Sequence, residues 1–285
     1  MKIFNGKKIA EQILQETGAA VKKAKLRPVL AAVLVGDDEA SKLYLKLKKE
    51  AGRKIGVEVR EFIFATETGE EEIISQIEKL NQDAEISGII IQLPLPTVFN
   101  TDKIIAAVSS AKDVDGFTEE NRRLLEKGKE PIFLPVLPMA ILTALTAAAK
   151  SLKCNPADKN VLALVNSEIF GETLKLVLTK DGIKMEYLVR QTCVVLGAEK
   201  KLKTADVLIS VCGCPNHLKA EDIKDSAILI DAGVTRYHDG KVVGDMDREN
   251  VKDKAAFLTP VPGGLGPLTV ALLLRNVYLA AAKNS

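Results

Sequence analysis

An alternation of charge-rich amphipathic segments with short, apolar, β-branched runs constrains this chain more than any other feature. Leu30 to Val35, Val57 to Phe64 and Ile86 to Ile91 are the first such runs. Between them, Asp37 to Ile55 and Glu70 to Leu80 read as helices, and Leu43, Leu47, Ala51 and Ile55 recur at a spacing that predicts one apolar stripe. Strand-length apolar runs separated by helices of this length fit βαβ units, and therefore a parallel sheet covered by helices. After the proline-rich stretch Pro131 to Pro138 the rhythm resumes, with strands predicted at Val161–Val165, Met185–Val189, Val207–Ser210 and Ile228–Ile230. That series has the form of a doubly wound, Rossmann-type domain. A last apolar helix, Leu268 to Ala282, follows a loop crowded with glycine and proline, Thr259 to Pro267. At 285 residues, 47% of them apolar, the chain can bury a core in each of two domains. The predicted class is α/β.

Lysine and arginine number 40 against 38 acidic residues, a net charge of +2. Charge therefore gives no reason to expect a nucleic-acid or membrane partner, and a basic site must be local. The opening Met1 to Gly6 lacks the apolar run of a secretory signal, and charges interrupt the later runs long enough to span a bilayer, so a cytoplasmic location is the expectation. Cys154, Cys193, Cys212 and Cys214 form no paired Cys-x-x-Cys knuckles, and His217 and His238 are the two histidines. No metal site is expected, and the thiols read as buried or idle in a reducing compartment.

Four segments carry candidate chemistry. Tyr44 and Lys48 are four apart and share a helix face beside the predicted stripe. A phenol can stack on a flat heterocycle, and a lysine whose proton affinity is lowered by burial can do acid/base work near neutral pH. A solvated lysine among Lys42, Lys46, Lys49, Arg53 and Lys54 has the same spacing. Gln92 ends the third run, before Leu93-Pro94-Leu95-Pro96. Ligands sit at the carboxyl ends of parallel strands, so Gln92 is placed either to orient a water or the lysine, or to cap the strand. In Lys112-Asp113-Val114-Asp115-Gly116-Phe117, two carboxylates beside a glycine suit the donors of an amino-heterocycle, and equally an Asx turn. The loop at 259–267 holds enough conformational locks to shape a backbone for close approach to a ligand, or to serve as an interdomain elbow.

Taken together, Val35-Gly36-Asp37-Asp38-Glu39-Ala40-Ser41 with Tyr44 and Lys48, then Gln92 to Pro96, Lys112 to Phe117, and Thr259 to Thr269 resemble the bifunctional methylenetetrahydrofolate dehydrogenase/methenyltetrahydrofolate cyclohydrolase family. The match spans essentially the whole chain. The resemblance implies a tetrahydrofolate-type substrate, 5,10-methylenetetrahydrofolate, oxidised with NADP⁺ and then hydrolysed to 10-formyltetrahydrofolate. It implies that Lys48 is the catalytic lysine, that Tyr44 stacks on the folate, that Gln92 tunes the lysine and that Asp115 holds the pterin. Ser41, Leu93, Gly264, Pro267 and Thr269 would contact the substrate. A folate domain of residues 1–135 plus 265–285, a nucleotide domain of 136–264, an active-site cleft between them and a homodimer are further implications. The basic surface of Lys42, Lys46 and Lys49 is expected to attract a polyglutamate tail.

The nucleotide half departs from the family pattern. Where relatives read Gly-Arg-Ser-x-x-Val-Gly-x-Pro, this chain has Val165-Asn166-Ser167-Glu168-Ile169-Phe170-Gly171-Glu172-Thr173. Val165 replaces the glycine of the tight turn, and Asn166 cannot supply a charged fork to a 2′-phosphate. Val189-Arg190-Gln191-Thr192 stands for His-Ser-x-Thr, and Val136-Leu137-Pro138 for Cys-Thr-Pro. The cofactor residues carried over are Asn166, Ser167, Gly171, Arg190, Gly213, Pro215, Gly233 and Val234. The cofactor that the resemblance implies is NADP, with NAD or no dinucleotide as alternatives. The rival functions are a cyclohydrolase that has lost the dehydrogenase step and a non-catalytic folate binder.

Overall fold

The structure is a computed structural model that describes residues 1–190, 198–237 and 239–283. The chain starts with β1 (Lys2–Ile3) and alternates through α1 (Gly6–Ala24), β2 (Val29–Val35), α2 (Glu39–Ile55), β3 (Glu58–Phe64), α3 (Glu70–Gln82) and β4 (Gly88–Ile91). Two short helices follow, α4 (Thr101–Ala106) and α5 (Glu119–Glu126), and then the longer α6 (Val136–Leu152). The second series is β5 (Val161–Val165), α7 (Glu168–Lys180), β6 (Met185–Val189), α8 (Glu199–Thr204), β7 (Val207–Val211) and β8 (Ile228–Asp231). It ends in the hairpin β9 (Thr235–Arg236) and β10 (Val242–Val243), then α9 (Arg248–Val251), β11 (Phe257–Leu258) and α10 (Leu265–Lys283).

The chain forms two compact units. Residues 10–136 and 270–285 make one, around a parallel sheet of order β3-β2-β4. β2 is buried along its whole length, and its Val29, Ala31, Val33 and Val35 pack with Ile73, Ile77 and Leu80 of α3 and Ile89 and Ile91 of β4. Covering α3 on its apolar face explains why Glu70 to Leu80 carries helical rather than strand periodicity.

Residues 1–9 and 137–269 make the other unit, around a parallel sheet of order β1-β11-β8-β7-β5-β6. β5 lies between β6 and β7, so the strand order reverses beside it, as a doubly wound sheet requires. β1 and β11, each only two residues long, are absent from the sequence-based expectation. β1 pairs with β11, so the first residues join this sheet rather than the N-terminal unit in which residues 1–135 were expected to fold together. The division near the end falls between Thr269 and Val270, inside α10, not at 265.

By length and composition α10 passes the test for a membrane span, although Arg275 interrupts it. Leu268, Ala271, Leu272, Leu273, Leu274 and Val277 are buried within the protein, and that burial accounts for the apolar run. Among the cysteines, Cys154 and Cys212 are free, and Cys214 is disulfide-bonded, which corrects the expectation of an idle thiol there. Cys193, Gln191, Thr192 and His238 lie outside the described residues.

β4 is closely covered. A Cβ added at Gly88 would come within 2.4 Å of Cγ1 of Val114, a buried residue of the loop that follows α4. Gly88→Ala is therefore expected to cost about 1–3 kcal/mol by overpacking. In a double-mutant cycle with Val114→Ala, denaturant midpoints should show the pair less destabilised than the sum of the single changes, and strict additivity would contradict this packing.

Candidate active site

α2 begins at Asp38, whose carboxylate accepts the amide of Ser41 at 2.7 Å as an N-cap. The face it buries is Ser41, Leu45, Lys48, Gly52 and Ile55. The stripe predicted from Leu43, Leu47 and Ala51 is thus displaced, and Leu47 is 41% exposed. Lys48 consequently belongs to the buried face and does not lie beside it. Gly52 lets the helix approach, since a Cβ there would stand 2.7 Å from the carbonyl oxygen of Val57.

Lys48 is 7% exposed, and its Nζ donates to Oε1 of Gln92 at 2.6 Å. An ammonium can only donate, so the amide oxygen of Gln92 must face it. The Nε2 of Gln92 then donates to the carbonyl of Leu93 at 3.2 Å, which fixes the other end of the amide. Gln92 stands immediately after β4, at its carboxyl end, and its backbone N–H donates to Val33 of β2 at 2.8 Å. Burial brings the Lys48 ammonium down to about 8, with the charge of Asp115 opposing the shift. Burial, with Asp113 nearby, raises the Asp115 carboxyl to about 6, and Lys48 in turn draws it down. Tyr44 is half-buried one turn before Lys48, and burial raises its phenol.

The loop that carries Asp115 is held by its neighbours. Asp113 accepts the amides of Gly116 at 2.9 Å and Thr118 at 2.7 Å, and Nδ2 of Asn121 at 3.0 Å. Its carboxylate is spent on the backbone, so of the two carboxylates read as possible substrate ligands Asp115 is the available one. Asn121 also accepts the amides of Ile132 and Phe133, and Asn276 of α10 donates to the carbonyls of Val114 and Leu134. Sequence reading missed Asn121 and Asn276, which look like ordinary polar residues on helices and carry no motif.

Ser41 is buried, and its hydroxyl meets no hydrogen-bond partner among the described residues. An orphan of this kind fits a bound ligand group. Lys42 is paired with Asp37 and Glu39, and Lys49 with Glu61. Two of the three lysines expected to draw a polyglutamate tail thus also have acidic neighbours, in exposed pairs that are individually weak. Leu93 is exposed, and its peptide to Pro94 is cis. Gly264, Pro267 and Thr269 belong to the other unit.

The profile of the tetrahydrofolate dehydrogenase/cyclohydrolase catalytic domain matches residues 4–115, and that of the same family's NAD(P)-binding domain matches 135–285. The chain belongs to the tetrahydrofolate dehydrogenase/cyclohydrolase family. Bifunctional protein FolD 2 of Geobacter sulfurreducens is 38% identical over 282 residues, covering 98% of this chain and 96% of its own. Bifunctional protein FolD of Nautilia profundicola is 38% identical over 287 residues, covering 100% and 98%. The crystal structure of the bifunctional enzyme FolD from Campylobacter jejuni matches with a TM-score of 0.86 at 32% identity, each chain covered in full.

In the NAD(P)-binding half of this family member, the loops that end β5, β6, β7 and β8 carry the cofactor candidates. Val165 is fully buried as the last residue of β5, so the turn begins at the exposed Asn166 and not at the β-branched residue. Ser167 caps α7 by accepting the amide of Phe170 at 3.2 Å. Gly171 admits the ring of Tyr187, which a Cβ would meet at 2.6 Å. Arg190 follows β6 and donates to Sγ of Cys214 at 2.8 Å. Gly213 is exposed after β7 at φ +67°, with no atom within 4 Å of the place a Cβ would take, so bare backbone faces open space there. Pro215 and Val234 are partly buried, and Gly233 is buried. A capped helix start, a bare glycine apex and the cation Arg190 at strand ends beside the point of reversal fit a dinucleotide. The site differs from the family pattern in lacking an arginine on the β5 loop.

Because Asp115 holds the Lys48 ammonium up against the effect of burial, Asp115→Asn removes that support. The rising limb of cyclohydrolase kcat/KM against pH is expected to move below about 8. A limb that stays or moves upward contradicts the coupling.

Proposed function

We propose that the chain oxidises 5,10-methylenetetrahydrofolate to 5,10-methenyltetrahydrofolate with NADP⁺ and hydrolyses the product to 10-formyltetrahydrofolate, with Lys48 as the group that handles the proton. The observation that carries this reading is a buried lysine bonded to Gln92 at 2.6 Å and brought down to about 8. An ordinary surface lysine stays charged at cellular pH. One that loses its proton near 8 can take a proton and give it back within a turnover.

Tyr44 supplies a flat face for the folate ring, Asp115 accepts from the amino-pterin donors, and the unpartnered hydroxyl of Ser41 is offered to the same substrate. Ser167, Gly171, Arg190, Gly213, Pro215, Gly233 and Val234, with Asn166 at the turn, would hold NADP⁺, which would supply the hydride acceptor. In the hydrolytic step water forms a C–O bond to the methenyl carbon, and neutral Lys48 takes the proton that water releases. The bond from that carbon to N5 then breaks as the new hydroxyl loses its remaining proton to solvent and becomes the formyl C=O, Lys48 returns its own proton to N5, and the formyl group stays on N10. Gln92 steadies the ammonium between these transfers.

A cytoplasmic homodimer is proposed as the working state. β6 is the edge of its sheet, and an open groove there of about 640 Å³ is lined by Glu168, Lys175, Met185 and Tyr187, among others.

Absorbance of methenyltetrahydrofolate tests the lysine. Lys48→Met should lower the hydrolysis rate by about 10²–10⁴-fold with the circular dichroism of the wild type, and retained hydrolysis refutes the assignment. A second reading, hydrolysis without the dehydrogenase, is favoured by the missing glycine and arginine at Val165 and Asn166, and the same cuvette with methylenetetrahydrofolate and NADP⁺ separates the two. Arg190→Ala should raise KM for NADP⁺ about tenfold and leave NAD⁺ unaffected, since a guanidinium grips the 2′-phosphate alone. An equal loss for both cofactors removes Arg190 from that role.

A further inference from the structure

Two buried carboxylates outside the folate-binding unit remain unused by this mechanism. Asp245 is fully buried, and Asp231 is 2% exposed. Asp245 follows the β9–β10 hairpin and turns its carboxylate to the end of β7. Its Oδ2 accepts Ser210 Oγ and the amide of Cys212, and its Oδ1 accepts the amide of Cys214, each at 2.7 Å. Asp231, at the end of β8, holds the backbone of Asp245 itself. Its Oδ1 accepts the amides of Gly233 and Asp245 at 3.0 Å, and its Oδ2 accepts the amide of Met246 at 2.9 Å.

The two acids are reciprocal in their packing. A Cβ at Gly233 would lie 2.0 Å from Oδ1 of Asp245, and a Cβ at Gly244 would lie 2.0 Å from Oδ2 of Asp231. Each carboxylate therefore occupies the space left by the glycine beside the other. Thr259, at the end of β11, joins the set by donating to the carbonyl of Asp231 and accepting its amide. Burial, with Asp245 beside it, lifts Asp231 to about 7, although the amides of Met246, Asp245 and Gly233 pull the other way.

Asp245 fastens the amides on either side of Gly213. With Cys212 and Cys214 both tied inward and buried, Gly213 is left as the exposed apex of the loop after β7. We propose that Asp245, seated by Asp231, is a positioning residue for the dinucleotide, which it serves by presenting the Gly213 apex while itself touching neither cofactor nor folate. This rests on reading residues 135–285 as the working NAD(P)-binding half.

Isothermal titration of the full-length wild type with NADP⁺ and NAD⁺ comes first, and a wild type that binds neither overturns the dinucleotide reading and this inference with it. Given binding, Asp245→Asn turns one acceptor into a donor that faces donors. NADP⁺ affinity should fall, and its KM rise, by about tenfold or more, while kcat/KM for methenyltetrahydrofolate hydrolysis, which needs no dinucleotide, holds within about twofold. Unchanged NADP⁺ affinity in the folded variant overturns the proposal, and so does an equal loss of hydrolysis. If Asp245→Asn fails to fold, Ser210→Ala decides: it removes one donor and leaves the carboxylate its two amides. Weaker NADP⁺ binding by about threefold with intact hydrolysis then supports the proposal, and unchanged binding overturns it.

Discussion

The Lys48 ammonium sits on the buried face of α2 with its proton directed at Gln92, and the arrangement of this unit follows from that contact. Burying an ammonium costs heavily unless a polar partner receives it. The partner here is an uncharged amide, so the cost is met only in part, and the remainder appears as a lowered proton affinity. A carboxylate at bonding distance would have stabilised the charged form and made the lysine useless as a base. Asp115 supplies the intermediate condition: its charge reaches Lys48 and limits the shift, while the hydrogen bond from Nζ goes to the amide of Gln92.

The supports of that contact come from several parts of the chain. Gln92 is set by the pairing of β4 with β2, and its amide is oriented by the carbonyl of Leu93. Asp115 is set by a loop whose own carboxylate, Asp113, is consumed in backbone amides, and which Asn121 and Asn276 tie to the segment before α6 and to α10. Long-range buried hydrogen bonds of this kind hold a functional side chain more tightly than a surface loop could. The NAD(P)-binding unit uses the same device, with buried acids gripping amides at the ends of β7 and β8.

Much of this was legible in the sequence. The apolar runs marked the parallel strands to within a residue or two: β2, β4, β5, β7 and β8 are buried along their length and so must be apolar, while the edge strands β3 and β6 keep β-branched or aromatic residues beside exposed Glu58, Glu61 and Glu186. β1 and β11 were illegible because two residues carry no periodicity; their pairing is decided by tertiary contact. Lys48 and Tyr44 were singled out by the family motif, since their spacing alone fits a solvated lysine equally well, and the buried face of α2 was misplaced. Leu43 and Leu47 are more apolar than Ser41 and Gly52, and pattern reading cannot see that a glycine and a lysine are turned inward for close approach and for chemistry. Asn121 and Asn276 act through contacts across the sequence that no local signal marks. Asp231 and Asp245 left a faint one, the mirrored Asp231-Ala232-Gly233 and Gly244-Asp245, in which each glycine makes room for the other's acid.

The proposed mechanism rests on a lysine whose proton affinity burial lowers from its ordinary value. Carbon-13 NMR of the Lys48 ε-carbon, assigned by comparison with Lys48→Met, follows that titration directly in the wild-type protein. A midpoint at about 8 is the predicted result, and a midpoint at the ordinary lysine value of 10.5 would contradict it.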